Sequence, residues 1–173
     1  MKHAAILCGA AILAGLPAAA QSDLYINAGG ALYDAGDARV NAVTLRGGIA
    51  FHDVLGAEFE ASFGLGAENV DGTDIELESQ FGGFIISRYR FLPKLDALAR
   101  IGVVKGEFQS SNNGVSRDSD ANGVAFGFGG EYQLTQTLGL RLDYTRINGN
   151  EEDFDGGVNV FAVTGVYTFG SVR

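Results

Sequence analysis

Residues 138–147 have the sequence LGLRLDYTRI, in which apolar and polar side chains alternate. A period of two is typical of a β-strand that has one apolar and one polar face. Leu138, Leu140 and Leu142 share the first face, whereas Arg141 and Asp143 share the second. In a soluble barrel the apolar face points inward, and in a membrane barrel it points outward. The orientation of this strand therefore decides the class of the protein.

The N-terminal 20 residues have the composition of an export signal. The short basic start MKH precedes the apolar run AAILCGAAILAGL, and Pro17 then precedes three alanines at 18–20. This order predicts a signal peptide over residues 1–20, cleaved after Ala20, and a mature domain over residues 21–173. The alternative is a retained anchor helix, for which the run is short. Cys8 lies inside the run, so a lipoprotein anchor is not expected.

The predicted mature domain is acidic and contains no cysteine. It carries 21 acidic residues against 11 basic ones, a net charge of −10, since Lys2 belongs to the signal. This charge disfavours nucleic acid as a partner. With no cysteine and His52 as the single histidine, the domain does not favour zinc. No cofactor and no resident metal are expected.

Eight alternating segments follow the signal, at 24–33, 42–52, 55–67, 75–91, 95–107, 122–134, 138–147 and 158–169. Three connections are tight, at 52–54, 92–94 and 135–137. The other four are longer, at 34–41, 68–74, 108–121 and 148–157. Short turns and long loops thus alternate along an even number of strands. This organisation predicts an all-β, eight-stranded antiparallel up-and-down transmembrane β-barrel.

The composition of the two faces indicates that the apolar face points outward. The narrow interior of such a barrel requires small residues, and the polar face carries Gly56, Ser62, Gly64, Gly66, Gly82, Gly102, Gly127, Gly129 and Gly139. Rings of the apolar face near the short turns predict an aromatic girdle, formed by Phe51, Tyr89, Phe91, Tyr132, Tyr167 and Phe169. Charges of the polar face predict a lumen ion-pair network, formed by Arg46, Glu58, Glu60, Arg88, Arg90, Asp96, Arg100, Glu131, Arg141 and Asp143. Glu76 and Glu78 fall on the same predicted face.

Folding the hairpins at the short turns places opposite charges side by side. The turn at 135–137 sets Glu131 across from Arg141, and the turn at 92–94 sets Asp96 across from Arg90. A register around 53–54 brings Arg46 near Glu60. On a solvated sheet such pairs contribute well under about 1 kcal/mol. Inside a barrel, breaking a buried pair costs about 3–5 kcal/mol, so these pairs are expected to plug the lumen.

The signal sequence, the eight strands, the acidic loops and the closing segment GVNVFAVTGVYTF at 157–169 resemble outer-membrane β-barrel proteins of the opacity-porin and OmpA/OmpX type. In that family a final strand ending in an aromatic residue is similar to the signal that the barrel-assembly machinery binds. The resemblance implies that Tyr167 and Phe169 carry the assembly signal and that this machinery is a partner during biogenesis. Residues 170–173 follow Phe169, which departs from the pattern. The resemblance further implies the outer membrane of a Gram-negative bacterium, with both termini in the periplasm.

The long loops hold eleven acidic residues against two basic ones. Four of these acids lie close together, namely Glu151, Glu152, Asp153 and Asp155. Their spacing is not that of an EF-hand loop. The expectation is a solvated acidic rim, and weak Ca²⁺ binding among lipopolysaccharide phosphates is the alternative.

The residue patterns favour a structural or surface-interaction role in the cell envelope over an enzyme. Nucleophilic catalysis needs a base beside a hydroxyl, and His52 lies at a short turn that contains no serine. One alternative is a narrow porin-like channel for ions or small solutes. A second is a soluble periplasmic lipocalin-like binding barrel. The expected partners are outer-membrane lipid and lipopolysaccharide, and the barrel is expected to be a monomer.

Overall fold

The computed structural model describes residues 23–36, 38–66, 68–70, 73–112, 115–149 and 157–169 of the 173-residue chain. Within these ranges the strands are β1 Asp23–Asp34, β2 Arg39–His52, β3 Leu55–Gly64, β4 Glu68–Val70, β5 Thr73–Leu92, β6 Leu95–Asn112, β7 Val115–Gln133, β8 Leu138–Gly149 and β9 Val158–Phe169. No helix in the described part of the chain is long and apolar enough to cross a membrane. The predicted signal peptide and residues 170–173 lie outside the described residues.

The strands form one closed antiparallel barrel. Neighbouring strands follow the order β3-β2-β1-β9-β8-β7-β6-β5, and the pairing of β3 with β5 closes the ring. The first and last strands pair along their whole length, from Leu24 with Phe169 to Asp34 with Asn159. The short strand β4 lies outside the ring and pairs only with the beginning of β5. The predicted eight-stranded barrel is therefore confirmed, and closure leaves no barrel edge unpaired in hydrocarbon.

Three of the predicted loops differ from the structure. The loop predicted at 68–74 contains β4 at 68–70 and the beginning of β5, which starts at Thr73. The segment 108–121 was predicted as a long loop, but β6 continues to Asn112 and β7 begins at Val115 in one unbroken ladder. The loop at 34–41 is also shorter than predicted, because β1 ends at Asp34 and β2 begins at Arg39. The end of β2 at 39–41 alternates in the opposite sense to the rest of the strand, because Arg39 and Asn41 point outward while Val40 points inward. Residues 108–112 and 115–121 are mostly polar in sequence, so they lack the regular apolar alternation that marked the remainder of their strands.

The apolar face of the strands points outward. Arg141 is fully buried, whereas the adjacent Leu142 is 55% exposed. The same alternation runs along β3, where Glu58 and Glu60 are buried while Phe59 and Phe63 are exposed. This arrangement is the reverse of a soluble barrel and answers the question raised by residues 138–147.

A bulge in β5 changes which residues face inward. The ladder with β6 shifts between Leu77 and Ser79, and Leu77 is buried while Glu78 is exposed. The prediction that Glu76 and Glu78 lie on the inner face is therefore wrong. An inserted residue reverses the parity of a strand, and the sequence alone does not mark this one.

Inward glycines are the positions at which strands leave no room for a side chain. A Cβ atom on Gly102 would lie 2.1 Å from the carbonyl oxygen of Gly83, and one on Gly129 would lie 2.4 Å from that of Leu142. By contrast, Gly30, Gly47 and Gly83 point outward and have no heavy atom within 4 Å of that position. The small residues of the inner face are therefore a packing requirement.

Candidate functional site

A group of six charged side chains, here called the central network, is buried inside the barrel: Arg46, Glu58, Glu60, Arg100, Arg141 and Asp143. Arg46 connects two sides of the ring. Its Nε donates to Glu60 on the adjacent strand at 2.7 Å, and its Nη1 and Nη2 donate to Asp143 on β8 at 2.7 and 3.0 Å. This two-atom contact is the geometry that a guanidinium and a carboxylate prefer.

Glu58 is the second centre of the network. It accepts hydrogen bonds from Arg141 Nη1 at 2.7 Å, from Arg100 Nη1 at 3.0 Å and from the Tyr25 hydroxyl at 3.0 Å. Arg100 Nη1 also donates to Glu60 at 2.8 Å. Three guanidinium groups and three carboxylates therefore balance, which is the condition for holding charges in a site that excludes water.

Two further pairs lie toward the short turns. Arg90 forms an ion pair with Asp96 across the turn at 93–94, and Arg88 Nη1 lies 3.6 Å from Glu131 Oε2. The ladder places Glu131 opposite Arg141, as the sequence suggested. The side chains nevertheless separate, because Arg141 reaches across the lumen to Glu58 while Glu131 approaches Arg88.

The half of the interior toward the long loops is mainly apolar, which the sequence did not predict. Its buried side chains, here called the apolar layer, are Tyr33, Val40, Leu77, Phe84, Val104, Ile147, Val158 and Val160. A signal for this layer exists in the sequence. Along β2 the inner residues change from Arg46 through Thr44 and Ala42 to Val40, so polarity falls steadily toward the loops.

The outer face changes in the opposite sense. Toward the loops it becomes polar, at a set of outward residues here called the polar collar: Arg39, Asn41, Lys105, Arg146 and Asn159. Arg146 Nη1 and the Tyr144 hydroxyl both donate to Asn159 Oδ1, at 2.9 and 2.8 Å. Below the collar, residues 43–51 of β2 and 95–103 of β6 present only apolar or small side chains outward. These lengths match the roughly 9–11 residues that a tilted strand needs to span hydrocarbon.

The six predicted girdle residues all lie exposed on the outer face near the short turns or the end of β9. The rings of Tyr167 and Phe169 touch edge to face, with centroids 4.9 Å apart. Aromatic contacts also continue up the wall, where Tyr144 packs between Phe128 and Phe161. The sequence suggested that the outward rings lie at one level near the short turns, but these contacts show that the rings also extend toward the loops.

Metal and catalytic groups are sparse in the described residues. No cluster of three or more histidine, aspartate or glutamate side chains there could hold a metal ion. His52 lies in its turn, where Val54 N donates to its Nδ1 at 3.4 Å. The loop carboxylates Glu151, Glu152, Asp153 and Asp155 lie outside the described residues.

The family model for the outer membrane protein β-barrel domain matches residues 5–169. This chain belongs to that family. A sequence comparison with curated proteins finds no significant match. The family is one of outer-membrane barrels.

Solved structures with the same fold include three outer-membrane barrels. OprG of Pseudomonas aeruginosa has a TM-score of 0.67 at 15% identity, covering 87% of this chain and 97% of that one. The N-terminal barrel domain of OprF from the same organism has a TM-score of 0.66 at 14% identity, covering 85% and 97%. Ail, the attachment invasion locus protein of Yersinia pestis, has a TM-score of 0.64 at 16% identity, covering 86% and 99%.

Membership of the outer-membrane barrel family explains the orientation of the faces. The outward leucines and phenylalanines contact hydrocarbon, so the soluble lipocalin-like alternative is wrong. The family implies the bacterial outer membrane as the location. At these low identities the similar structures indicate the fold of this outer-membrane barrel and not its partners.

Proposed function

We propose that this outer-membrane barrel presents a protruding acidic β-sheet to partners outside the cell, while its lumen stays closed to solutes. The observation that carries the proposal is uneven strand pairing. The ladder of β6 with β7 runs to Asn112 and Val115, whereas the ladder of β7 with β8 stops at Gly123 and Gly149. The sheet of β5, β6 and β7 therefore extends about 25 Å beyond the point at which the ladder of β7 with β8 stops.

The protruding sheet has a free edge. Residues 115–122 of β7 pair with β6, and within the described residues no strand pairs with their other side. Such an edge is a template on which an extended segment of another protein adds as a further strand. Asp118 and Asp120 lie on this edge strand, next to Arg117. The partner favoured by this charge is an extended segment rich in lysine or arginine.

The side chains of the interior support a closed lumen. The interior of an eight-stranded barrel is only wide enough for side chains to fill, and here two different layers fill it. The central network occupies the middle, and the apolar layer lies between it and the loops. A permeating ion would have to break buried ion pairs and then cross apolar surface. We assign no catalytic role, because the single histidine of the predicted mature domain lies at a turn.

The proposal is tested by shortening the sheet while keeping the barrel. In the shortened variant an Asn-Gly turn replaces residues 108–119 and joins Glu107 to Asp120, which pair in the ladder. Wild type and variant in nanodiscs are compared by surface plasmon resonance on an immobilised peptide of alternating valine and lysine. We expect the wild type to bind and the shortened variant to lose binding, while both resist SDS until heated.

A matched control keeps the strand and removes charge elsewhere. Replacing the four carboxylates at 151–155 by amides should leave peptide binding unchanged. Binding that survives the shortening but is lost in this control would overturn the proposal. A peptide of alternating valine and glutamate tests whether charge or strand propensity alone suffices.

A narrow channel is the second candidate function. Several buried polar atoms on the short-turn side make no hydrogen bond to any described residue, among them Arg88 Nε, Arg88 Nη2 and Thr164 Oγ1. Buried polar atoms are commonly satisfied by water, which favours a hydrated path through this half of the lumen. Planar-bilayer recording separates the two candidates. A steady wild-type conductance that rises in Arg141→Ala would favour the channel, and a silent wild type would favour the closed barrel.

A further inference from the structure

We propose that the outer wall around Gly30 binds lipid A of the outer leaflet, with one acyl chain in a groove over β1 and a lipid phosphate against Arg39. The groove has a volume of ≈ 700 Å³ and lies at the junction of β9, β1 and β2, near the loop end of the barrel. It is on the wall and not on the protruding sheet. The proposal is therefore independent of what the loops bind.

The floor of the groove lies at Gly30, which has no side chain. Gly30 points outward, and no heavy atom lies within 4 Å of the position that a Cβ would occupy. Its ladder neighbours Val43 and Val163 are both exposed on the same face. Phe161 and Val163 form one side of the groove, and Leu65 forms the other. The surface is thus a furrow between larger apolar side chains.

Leu65 is held in place as a side of the groove. Its backbone N donates to the carbonyl oxygen of Asn41 at 2.8 Å, beyond the end of β3. The side chain is 66% exposed. A groove of this volume falls within the range of about 300–1,000 Å³ that is usual for small-molecule sites. Because Leu65, Phe161 and Val163 line it on the outward face of the barrel, the available occupant is a hydrocarbon chain.

The rim of the groove supplies the charge. Arg39 and Asn41 line its upper end and belong to the polar collar. Arg39 Nε donates to Asp34 Oδ2 at 3.0 Å, and 66% of the Arg39 side chain remains exposed. In a chain with 21 acidic residues, a basic residue above an apolar furrow is complementary to a phosphorylated lipid. With both termini in the periplasm, as the family resemblance implies, the loop end faces the outer leaflet, whose phosphorylated glycolipid is lipid A.

The groove is tested on the full-length barrel extracted from outer membranes in a mild detergent. Native mass spectrometry then measures retention of added bisphosphorylated lipid A, dephosphorylated lipid A and phosphatidylglycerol. Gly30→Leu fills the furrow, and Arg39→Gln removes the charge. Gly83→Leu is the matched control, because Gly83 also points outward with no heavy atom within 4 Å of its Cβ position. Lys105→Gln is the control for a charge elsewhere on the collar.

We expect the wild type to retain one bisphosphorylated lipid A. Gly30→Leu should lower retention about tenfold, the effect of about two methylene groups left unburied. Arg39→Gln should lower it about fivefold, and dephosphorylated lipid A should show the same loss on the wild type. The two control variants should retain lipid A like the wild type, and all variants should resist SDS until heated.

Three results would overturn the proposal. The first is lipid A retention that Gly30→Leu leaves unchanged or that Gly83→Leu lowers equally. The second is equal retention of phosphatidylglycerol, which would show a general acyl surface. The third is a dimer mass that disappears in Gly30→Leu, which would make the furrow an interface between two copies of the chain.

Discussion

Arg141 and Arg146 lie five positions apart on β8 and point to opposite sides of the barrel wall. Arg141 is fully buried in the lumen and donates to Glu58 at 2.7 Å. Arg146 lies on the outside and donates to Asn159 at 2.9 Å. An odd spacing on a strand always reverses the face. The strand β8 therefore supplies one cation to the central network and a second cation to the polar collar.

Removing Glu58 is expected to destabilise the barrel strongly. Glu58 accepts hydrogen bonds from Arg141 and Arg100, so Glu58→Ala leaves buried positive charge undercompensated. The expected loss is about 3–5 kcal/mol in the free energy of unfolding, measured by urea unfolding in phospholipid vesicles. Asp53→Ala, in an exposed turn, should change that free energy by less than about 0.5 kcal/mol. Equal effects of the two substitutions would contradict a buried network.

A charge on the outer wall should cost more at mid-wall than near the short turns. Leu142 and Leu138 share the outward face of β8, and both are about half exposed. Leu142→Lys is expected to lower the free energy of unfolding by about 2–4 kcal/mol, and Leu138→Lys by about 0–1 kcal/mol. The same unfolding experiment measures both. A larger loss for Leu138→Lys would show that the apolar band is misplaced along the barrel axis.

Two neighbouring glycines should respond in opposite ways to one added methyl group. Gly102→Ala places a Cβ 2.1 Å from the carbonyl oxygen of Gly83, and such overpacking costs about 1–3 kcal/mol. Gly83→Ala meets open space and should be neutral or stabilising by about 0.4–1 kcal/mol. The temperature at which the SDS-resistant band disappears on a gel compares the two variants. If both substitutions lower this temperature equally, the inner face is not sterically limited at Gly102.

The turn between β1 and β2 should respond to acid. Gly36 N donates to Asp34 Oδ1 at 3.0 Å, and this bond together with the Arg39 ion pair lowers the pKa of Asp34. Because the folded-state pKa is depressed, the stabilisation is present above the pKa of the unfolded chain and is lost as pH falls through the folded value. NMR titration of the Asp34 carboxyl should give a midpoint below that of an unfolded aspartate. Arg39→Gln should raise this midpoint, and an unchanged midpoint would show that the ion pair does not contribute.

Ion pairs between residues that are close in the chain could be predicted from the sequence. Arg46 and Glu60 face each other across one tight turn, and Arg90 and Asp96 face each other across another. Once the turn is located, the ladder register follows from counting residues. The closed eight-stranded class followed in the same way, because alternation and turn spacing are local properties of the chain.

Contacts across the lumen could not be predicted from the sequence by counting residues from a turn. Arg46 binds Asp143 and Arg141 binds Glu58, yet these residues belong to strands that are not neighbours in the ring. Their approach depends on the width and shear of the closed barrel. The bulge at Glu78 is a further example, since one additional residue exchanged the two faces and no composition signal marked it.

The sequence by itself determined the strands, the tight turns and the existence of one apolar and one polar face. These depend on backbone periodicity and turn chemistry, which act over a few residues. Only the tertiary structure decided which part of each face meets lipid, lumen or water: toward the loops, Val40 and Ile147 point inward while Arg39 and Arg146 point outward. Whether a side chain meets lipid, lumen or water depends on its depth along the barrel axis, and that depth exists only once the ring has closed.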